Sequence, residues 1–438
     1  MLTDLIEDIN KRRKRLRKFR DYYEGRQRIC FVGESLQTDF GQKLQGLTAN
    51  RCQAVIDAVN DRLRIEAFED DDSTTKNEEQ ASELWREQHL DTLSRQVHLS
   101  AQIEGDSYVI AWPSTDSIEV FPQNSEQIAV AYDDERPDEL FAALKVWKRR
   151  DGTWRANLYY RDRLEKYESS AKDVDVPENS AAWHAYQDEG DTSWPILYAW
   201  DRVPVFHFAT NARIGEYGRS DLADIIPLQD RLNQTLANEA VAEEFQGFRQ
   251  RWVTGIQPIY DEDGNPVNPF DQGADQLWVS TSTETQFGEF SAADLGQLEA
   301  VAEGHELRIA RTAGIPAYYV AQMGTPPSGE SLKTTENRFL SKIEARQTTY
   351  GLTWADLLNF ILSVRGVATP KVRVRWKSAE TRVEGELIKQ ALQKVTLGVS
   401  QSQALRELGY TNEQIEEFGE ERILEGEAAA RAFNAGRV

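Results

Sequence analysis

The chain has 438 residues, with 51 Lys and Arg against 73 Asp and Glu, a formal charge of −22, and 40% hydrophobic content. That is the balance of a globular protein long enough for two or three domains; no run approaches the roughly 20 apolar residues that cross a bilayer, and no signal peptide is predicted. Two cysteines, Cys30 and Cys52, exclude a disulfide scaffold or a Cys-built zinc site and fit a reducing cytoplasm, while the acidity excludes a protein that grips nucleic acid over its whole surface but not one past which DNA slides.

Leu2, Leu5, Ile6, Ile9, Leu16, Phe19 and Tyr23 recur at helical spacing and predict a helix over 2–23. Its other face carries a basic block from Lys11 to Arg20. Arg12, Arg13, Arg15 and Lys18 in it are candidates for a contact face, against the plainer readings of a solvated face or an acidic neighbour. A second helix is predicted over Arg51–Arg62, with Val55, Ile56, Val59 and Leu63 as its stripe. The acidic stretch Glu66–Asp72 reads as a solvated loop rather than a metal site.

From Asp106 to about Phe208 the texture turns to short segments rich in β-branched and aromatic residues, such as 107–112, 118–121, 127–132, 140–147, 153–160 and 163–168, separated by turn formers. This predicts an antiparallel meander. Without intervening helices, a doubly wound nucleotide fold is not indicated. The polar segment Lys172–Trp194 reads as a surface insertion. A helix is predicted over 221–250, capped by Ser220 and tolerating Pro227 near its start. Strand-like text over 251–290 and a helix over 293–313 follow, so a small β unit sits at the far end of two helices. Gly and Pro make 314–329 irregular. The longest helix is predicted over Glu330–Val364, about 50 Å at 1.5 Å per residue. KVRVRW (371–376) reads as a half-buried strand, and 378–438 as a polar helical tail.

No candidate for catalysis, cofactor binding or metal binding emerges. The five histidines are far apart in sequence and show no zinc spacing. The segment Gly324–Ser331 matches the phosphate-loop spacing except that Glu330 stands where the phosphate-binding Lys belongs, and its two prolines remove N–H donors. It reads as a loop entering a helix, so the chain does not look like an ATPase.

"RDYYEG" (20–25), "NRCQAVIDAVNDRLRIEAF" (50–68), "GEYGRSDLADIIPLQDRLNQTLANEAV" (215–241), "PPSGESLKTTENRFLSKIEARQ" (326–347) and "RVRW" (373–376) succeed one another in an order that resembles the portal (head-to-tail connector) proteins of tailed bacteriophages. The resemblance implies an α+β subunit with a mixed wing, a two-helix stem, a small β-containing clip, a long wing helix and a helical crown. Its segments would be the arm and wing at 1–214, a stem helix at 215–250 and the clip at 251–292. The second stem helix would be 293–313, the channel loop 314–329, the wing helix and strand 330–377, and the crown 378–438.

It implies a ring of identical subunits, twelve in the usual form, at one capsid vertex of the virion, assembled in the host cytoplasm without a membrane. Double-stranded DNA would pass through it on packaging and ejection. The partners implied are the terminase large subunit, then the head-tail adaptor, with the major capsid and scaffolding proteins, and no cofactor. Tyr318, Tyr319, Gln322, Met323 and Thr325 occupy the channel-loop position and become candidate channel-lining residues. Ile259, Tyr260 and Trp278 become candidate clip contacts. Two other readings stay open: another oligomeric virion component, for which the chain is large if it is an adaptor, and an enzyme acting on nucleic acid, for which no site is visible.

Overall fold

The computed structural model describes residues 1–27, 49–70, 75–113, 118–171, 175–191, 193–247, 251–256, 294–321, 329–380 and 384–408, with shorter pieces between 259 and 289 and between 410 and 419. Two compact units divide the chain at Lys377. The first opens with α1 (Leu2–Tyr23) and α2 (Arg51–Asn60), then β1 (Ile65–Asp70), α3 (Thr75–Glu87) and α4 (Leu90–Glu104). Strands β2 (Asp106–Pro113), β3 (Ile118–Gln123), β4 (Ile128–Tyr132), β5 (Leu140–Lys148), β6 (Trp154–Tyr159) and β7 (Arg163–Ser169) follow, with β8 (His184–Ala185), β9 (Ile196–Leu197) and β10 (Val205–Ala209). This is a mixed helix-and-sheet protein, as the sequence predicts.

The strand region is two sheets rather than one meander. Strands β4 to β8 pair antiparallel in chain order, with β9 also on β7. Strands β2 and β3 instead form a three-stranded sheet with β10, whose partner lies about a hundred residues away. The break falls at Asn124. Its carboxamide oxygen accepts from Glu126 N at 2.9 Å, and the Ser125 hydroxyl donates to Asp106 O at 2.5 Å, tying a turn where a continuous strand would run. Leu5, Ile6 and Ile9 of α1 lie against Leu144, Val146, Trp154 and Ala156 of the larger sheet. Each aliphatic side chain buried there contributes about 1.5–3 kcal/mol before chain entropy is subtracted. The insertion 172–194 is not merely surface: Val176 and Trp183 complete this core, and Trp183 Nε1 donates to Pro177 O at 2.9 Å.

Beyond β10 the chain turns through 221–225 and enters α5 (Ile226–Gly247). Ser220 therefore caps this turn and not the helix: its hydroxyl donates to Ile103 O and accepts from Leu222 N. Pro227, with no N–H to lose, sits in the first turn of α5. The ribbon β11 (Arg251–Thr254) pairs with β14 (Gln286–Glu289), and β12 (Ile259–Tyr260) with β13 (Pro266–Val267). Helix α6 (Leu295–Ala313) ends at Gly314, whose φ of +71° suits a residue without Cβ. Helix α7 (Gly329–Val364) is 36 residues long, about 54 Å.

Helix α7 covers an aromatic core. Trp354 lies 4.7 Å from the Phe208 ring and edge-on to Trp85 at 5.1 Å, while Tyr350 stacks on His98 at 5.1 Å. The Trp354 Nε1 donates to His98 Nε2 at 2.8 Å. Burial lowers the His98 pKa to about 3, so the ring is a neutral acceptor built into the core. Strand β15 (Val372–Trp376) returns to pair with β1, tying the C-terminal end of the first unit to its first strand. The second unit contains α8 (Glu384–Thr396) and α9 (Gln401–Glu407), linked by a Lys394–Glu407 ion pair and a Ser400 cap on Gln403 N.

Candidate functional site

The quoted motifs meet in space. Tyr22 donates to Asp230 of α5 at 2.5 Å and Tyr23 to Asp57 of α2 at 2.9 Å. Asn50 donates to Tyr23 O and caps α2 by accepting from Gln53 N. Arg51 reaches Glu306 of α6 at 2.8 Å, and Gln229 of α5 bridges Arg51 N and Ala49 O. The "RDYYEG" and "NRCQ" segments thus hold the α5–α6 pair at its root.

The predicted basic face of α1 divides. Arg12 and Arg13 are only 6% and 7% exposed, which corrects their assignment to an external contact face. Arg12 donates to Ile128 O at 2.6 Å, lies 3.5 Å from Asp106 Oδ2, and stacks over the Tyr217 ring at 3.8 Å. Asp106 also receives Gly218 N at 2.7 Å and sits 2.8 Å from His207 Nε2, whose Nδ1 meets the Tyr132 hydroxyl at 2.7 Å. Arg13 lies between Glu126 and Asp175, at 3.9 and 3.6 Å. Arg17 and Arg20 also bond Glu126, and Arg20 bonds the buried Glu104. Burial raises the Glu104 pKa while Arg20 opposes the rise. Arg15 and Lys18 remain exposed.

The segment entering α5 is clamped by backbone contact. A Cβ on Gly218 would lie 1.9 Å from Gly105 O, and one on Gly105, at φ +96°, would lie 2.6 Å from Gly218 O. Only two glycines can cross there. Asp221 then accepts from Asn211 at 3.1 Å and pairs with Arg346 and Lys342 of α7 at 3.0 and 3.3 Å. Burial alone would raise its pKa, but the two cations hold it below the ordinary carboxylate value.

Tyr318 and Tyr319 lie in a 3₁₀ turn, Ala317–Tyr319, at the start of the expected channel loop. Arg62, in the turn that follows α2, donates to the Tyr319 hydroxyl at 2.7 Å, approaches Glu336 of α7 at 3.8 Å, and covers the Phe339 ring at 5.0 Å. Tyr318 donates to Glu336 and remains 37% exposed. One guanidinium therefore joins the chain on both sides of 322–328. Gln322, Met323 and Thr325 lie outside the described residues. In the segment expected to form the clip, Tyr260 is 60% exposed, Trp278 is half-buried with its ring 6.4 Å from Phe287, and the Ile259 side chain is outside the described residues.

Residues 2–427 match the model of the family described as phage portal protein, SPP1 Gp6-like. The chain belongs to that family. Among known relatives, the portal protein of Mycobacterium phage D29 is 22% identical over 365 residues, covering 82% of this chain and 72% of its own. The portal protein of Mycobacterium phage L5 is 22% identical over 398 residues, covering 86% and 78%. Among solved structures, a chain from the neck of a native gene transfer agent particle aligns with a TM-score of 0.47 and 14% identity, covering 86% of this portal chain and 92% of that chain. Among the described residues, no group of His, Cys, Asp and Glu could hold a metal ion, and no helix is long and apolar enough to cross a membrane. The one described cysteine, Cys52, is buried, which pushes its thiol up to about 12.

The Arg12–Asp106–His207 network, the glycine crossing and the Arg62 clamp were not visible in sequence. Each joins residues separated by tens to hundreds of positions, beyond the reach of helical or strand periodicity. The run of glycines and a serine in "GEYGRS" is the only local signal that marked the crossing segment.

Proposed function

We propose that this chain is the subunit of a portal ring, twelve subunits in the usual form, through which double-stranded DNA enters the capsid and later leaves it. The ring would dock the terminase large subunit and then the head-tail adaptor, contact the major capsid and scaffolding proteins, and itself catalyse nothing. The observation that carries this reading is the family match over nearly the whole chain, together with the joining of the quoted motifs at the root of the α5–α6 pair.

In this reading 1–214 is arm and wing, α5 and α6 are the stem, 251–292 is the clip, 314–329 is the channel loop, α7 and β15 complete the wing, and 378–438 is the crown. Tyr318, Gln322, Met323 and Thr325 would face the channel, and Tyr260 and Trp278 would serve docking at the clip. Tyr319, whose hydroxyl is held by Arg62, fits better as an anchor of the loop than as a lining residue. An acidic chain supports a weakly repulsive wall past which phosphates slide.

The native mass of the purified full-length protein, with template-free particle images, tests the ring. A closed ring near twelve copies with a central hole is expected. A compact dimer with nuclease or ATPase activity would overturn the reading. Deletion of 322–327 tests the loop: loss of DNA packaging with ring assembly intact is expected, and unaltered packaging would refute a channel role.

A further inference from the structure

In a chain with 22 more acidic than basic side chains, one face of α1 still presents cations to solvent. Lys14, Arg15 and Lys18 lie on the exposed side of α1, where Arg12, Arg13, Arg17 and Arg20 have turned to internal carboxylates. Across from them, the loop 211–217 carries Arg213. Arg15 and Arg213, with Arg219, which is paired to Asp224, border a cleft of about 570 Å³ lined also by Phe19, Glu216, Tyr217 and Gly218, and Lys14 and Lys18 are exposed near Arg15 on the same helix. No carboxylate pairs with Lys14, Arg15, Lys18 or Arg213 among the described residues. Beside Arg213, at the tip of the same loop, Ile214 is 92% exposed.

We infer that this cleft and loop tip form a docking surface for a carboxylate-bearing, partly apolar patch on a second copy of this chain. The pairing of unpartnered guanidinium groups with a bare isoleucine decides the class of partner. Guanidinium groups suit carboxylate or phosphate equally, but a phosphate backbone gives an exposed Ile nothing to pack against, whereas a protein surface satisfies both. Charge decides which protein. A second copy brings the same excess of carboxylates, including Asp134, Glu135 and Asp138 on the exposed β4–β5 turn, to which no ion pair is made among the described residues. Head-to-tail contact of two different patches is what closes a ring, so the inference rests on the ring reading and names one flank of its interface.

The test uses the full-length protein and the double variant Arg15→Glu/Arg213→Glu, with Ile214→Asp as an independent second variant. All three positions are exposed, so thermal midpoints should match the wild type. The concentration at half-assembly, read by native mass, is expected to rise about tenfold or more in each variant, and more steeply for the charge variant at low salt. Carbodiimide crosslinking of mixed isotope-labelled and unlabelled chains is expected to join Lys14 or Lys18 to an acidic residue of the other chain.

Assembly unchanged in both variants, or crosslinks only within one chain, would overturn this surface while leaving the ring standing. A wild type that never assembles would overturn ring and surface together. Loss of duplex-DNA retention between about 50 and 200 mM salt in the charge variant, with assembly unaffected, would assign the cleft to phosphate and overturn the protein partner.

Discussion

Replacing Asp221 by asparagine keeps the side chain's shape and removes the charge that Lys342 and Arg346 face. The Arg346 side chain is deeply buried and would keep only Asn211 Oδ1, at 2.7 Å, as a strong partner. Breaking a buried ion pair from one side costs about 3–5 kcal/mol. Lys342 is less buried and can turn to water, and the new carboxamide still accepts one hydrogen bond, so the low end, about 3 kcal/mol, is expected. Unfolding entropy near 2.1 cal/mol/K per residue gives about 0.8 kcal/mol/K for the 377 residues of the first unit, and hence a midpoint about 4 °C lower.

The pH dependence has a definite sign. The Asp221 pKa is held down in the folded chain, so its stabilisation is complete above the ordinary carboxylate pKa of about 4 and disappears as pH falls through the lower folded value. The wild type should therefore lose its advantage over Asp221→Asn as pH falls below about 4. Scanning calorimetry of both proteins from neutral pH downward measures this. Equal midpoints at neutral pH, or a gap that stays constant down to about pH 3, would refute the reasoning.

Gly218→Ala places a methyl group 1.9 Å from Gly105 O, a backbone atom that cannot step aside; soluble yield should collapse, whereas Gly152→Ala, with open space around it but φ +89°, should cost only about 1 kcal/mol by thermal unfolding. Arg62→Met leaves an apolar side chain near Phe339 but removes the guanidinium from its ring, from the Tyr319 hydroxyl and from Glu336; hydrogen exchange across 315–321 should quicken at least tenfold while exchange in β5 and β6 stays unchanged. His98 should cost stability progressively as pH falls from about 6.5 toward its folded value of about 3, because only the unfolded chain takes up the proton; His98→Gln, which retains an acceptor for Trp354, should flatten that part of the stability–pH curve.

Helices were the most legible part of the sequence. The stripe Leu5, Ile6, Ile9, Leu16 and Phe19 located α1, and Val55, Ile56 and Val59 located α2, because burial on one face imposes a local period. The same periodicity misjudged Arg12 and Arg13. Their spacing places them beside the apolar stripe, but their inward direction is set by Ile128 O, Asp106, Glu126 and Asp175, which only the folded chain brings near. The strands were located and their sheet assignment was not: nothing local says that β2 pairs with β10, and the Asn124 turn resembles any other loop. Trp183 shows the limit of composition, since an acidic, irregular segment still delivers an indole to the core.

The crossing of Gly105 and Gly218 is a joint without padding. Where side chains separate two elements, they can change rotamer and absorb a small displacement. At this crossing, main chain bears directly on main chain, and Thr210 N bonded to Gly105 O and Arg219 N bonded to Thr210 O fix it from both sides. A push or twist along α5 passes through the turn 221–225 and meets, at Gly218, main chain seated directly against the start of β2 and the end of β10. The feature seats the segment leading into α5 on the three-stranded sheet with no side chain between them to yield.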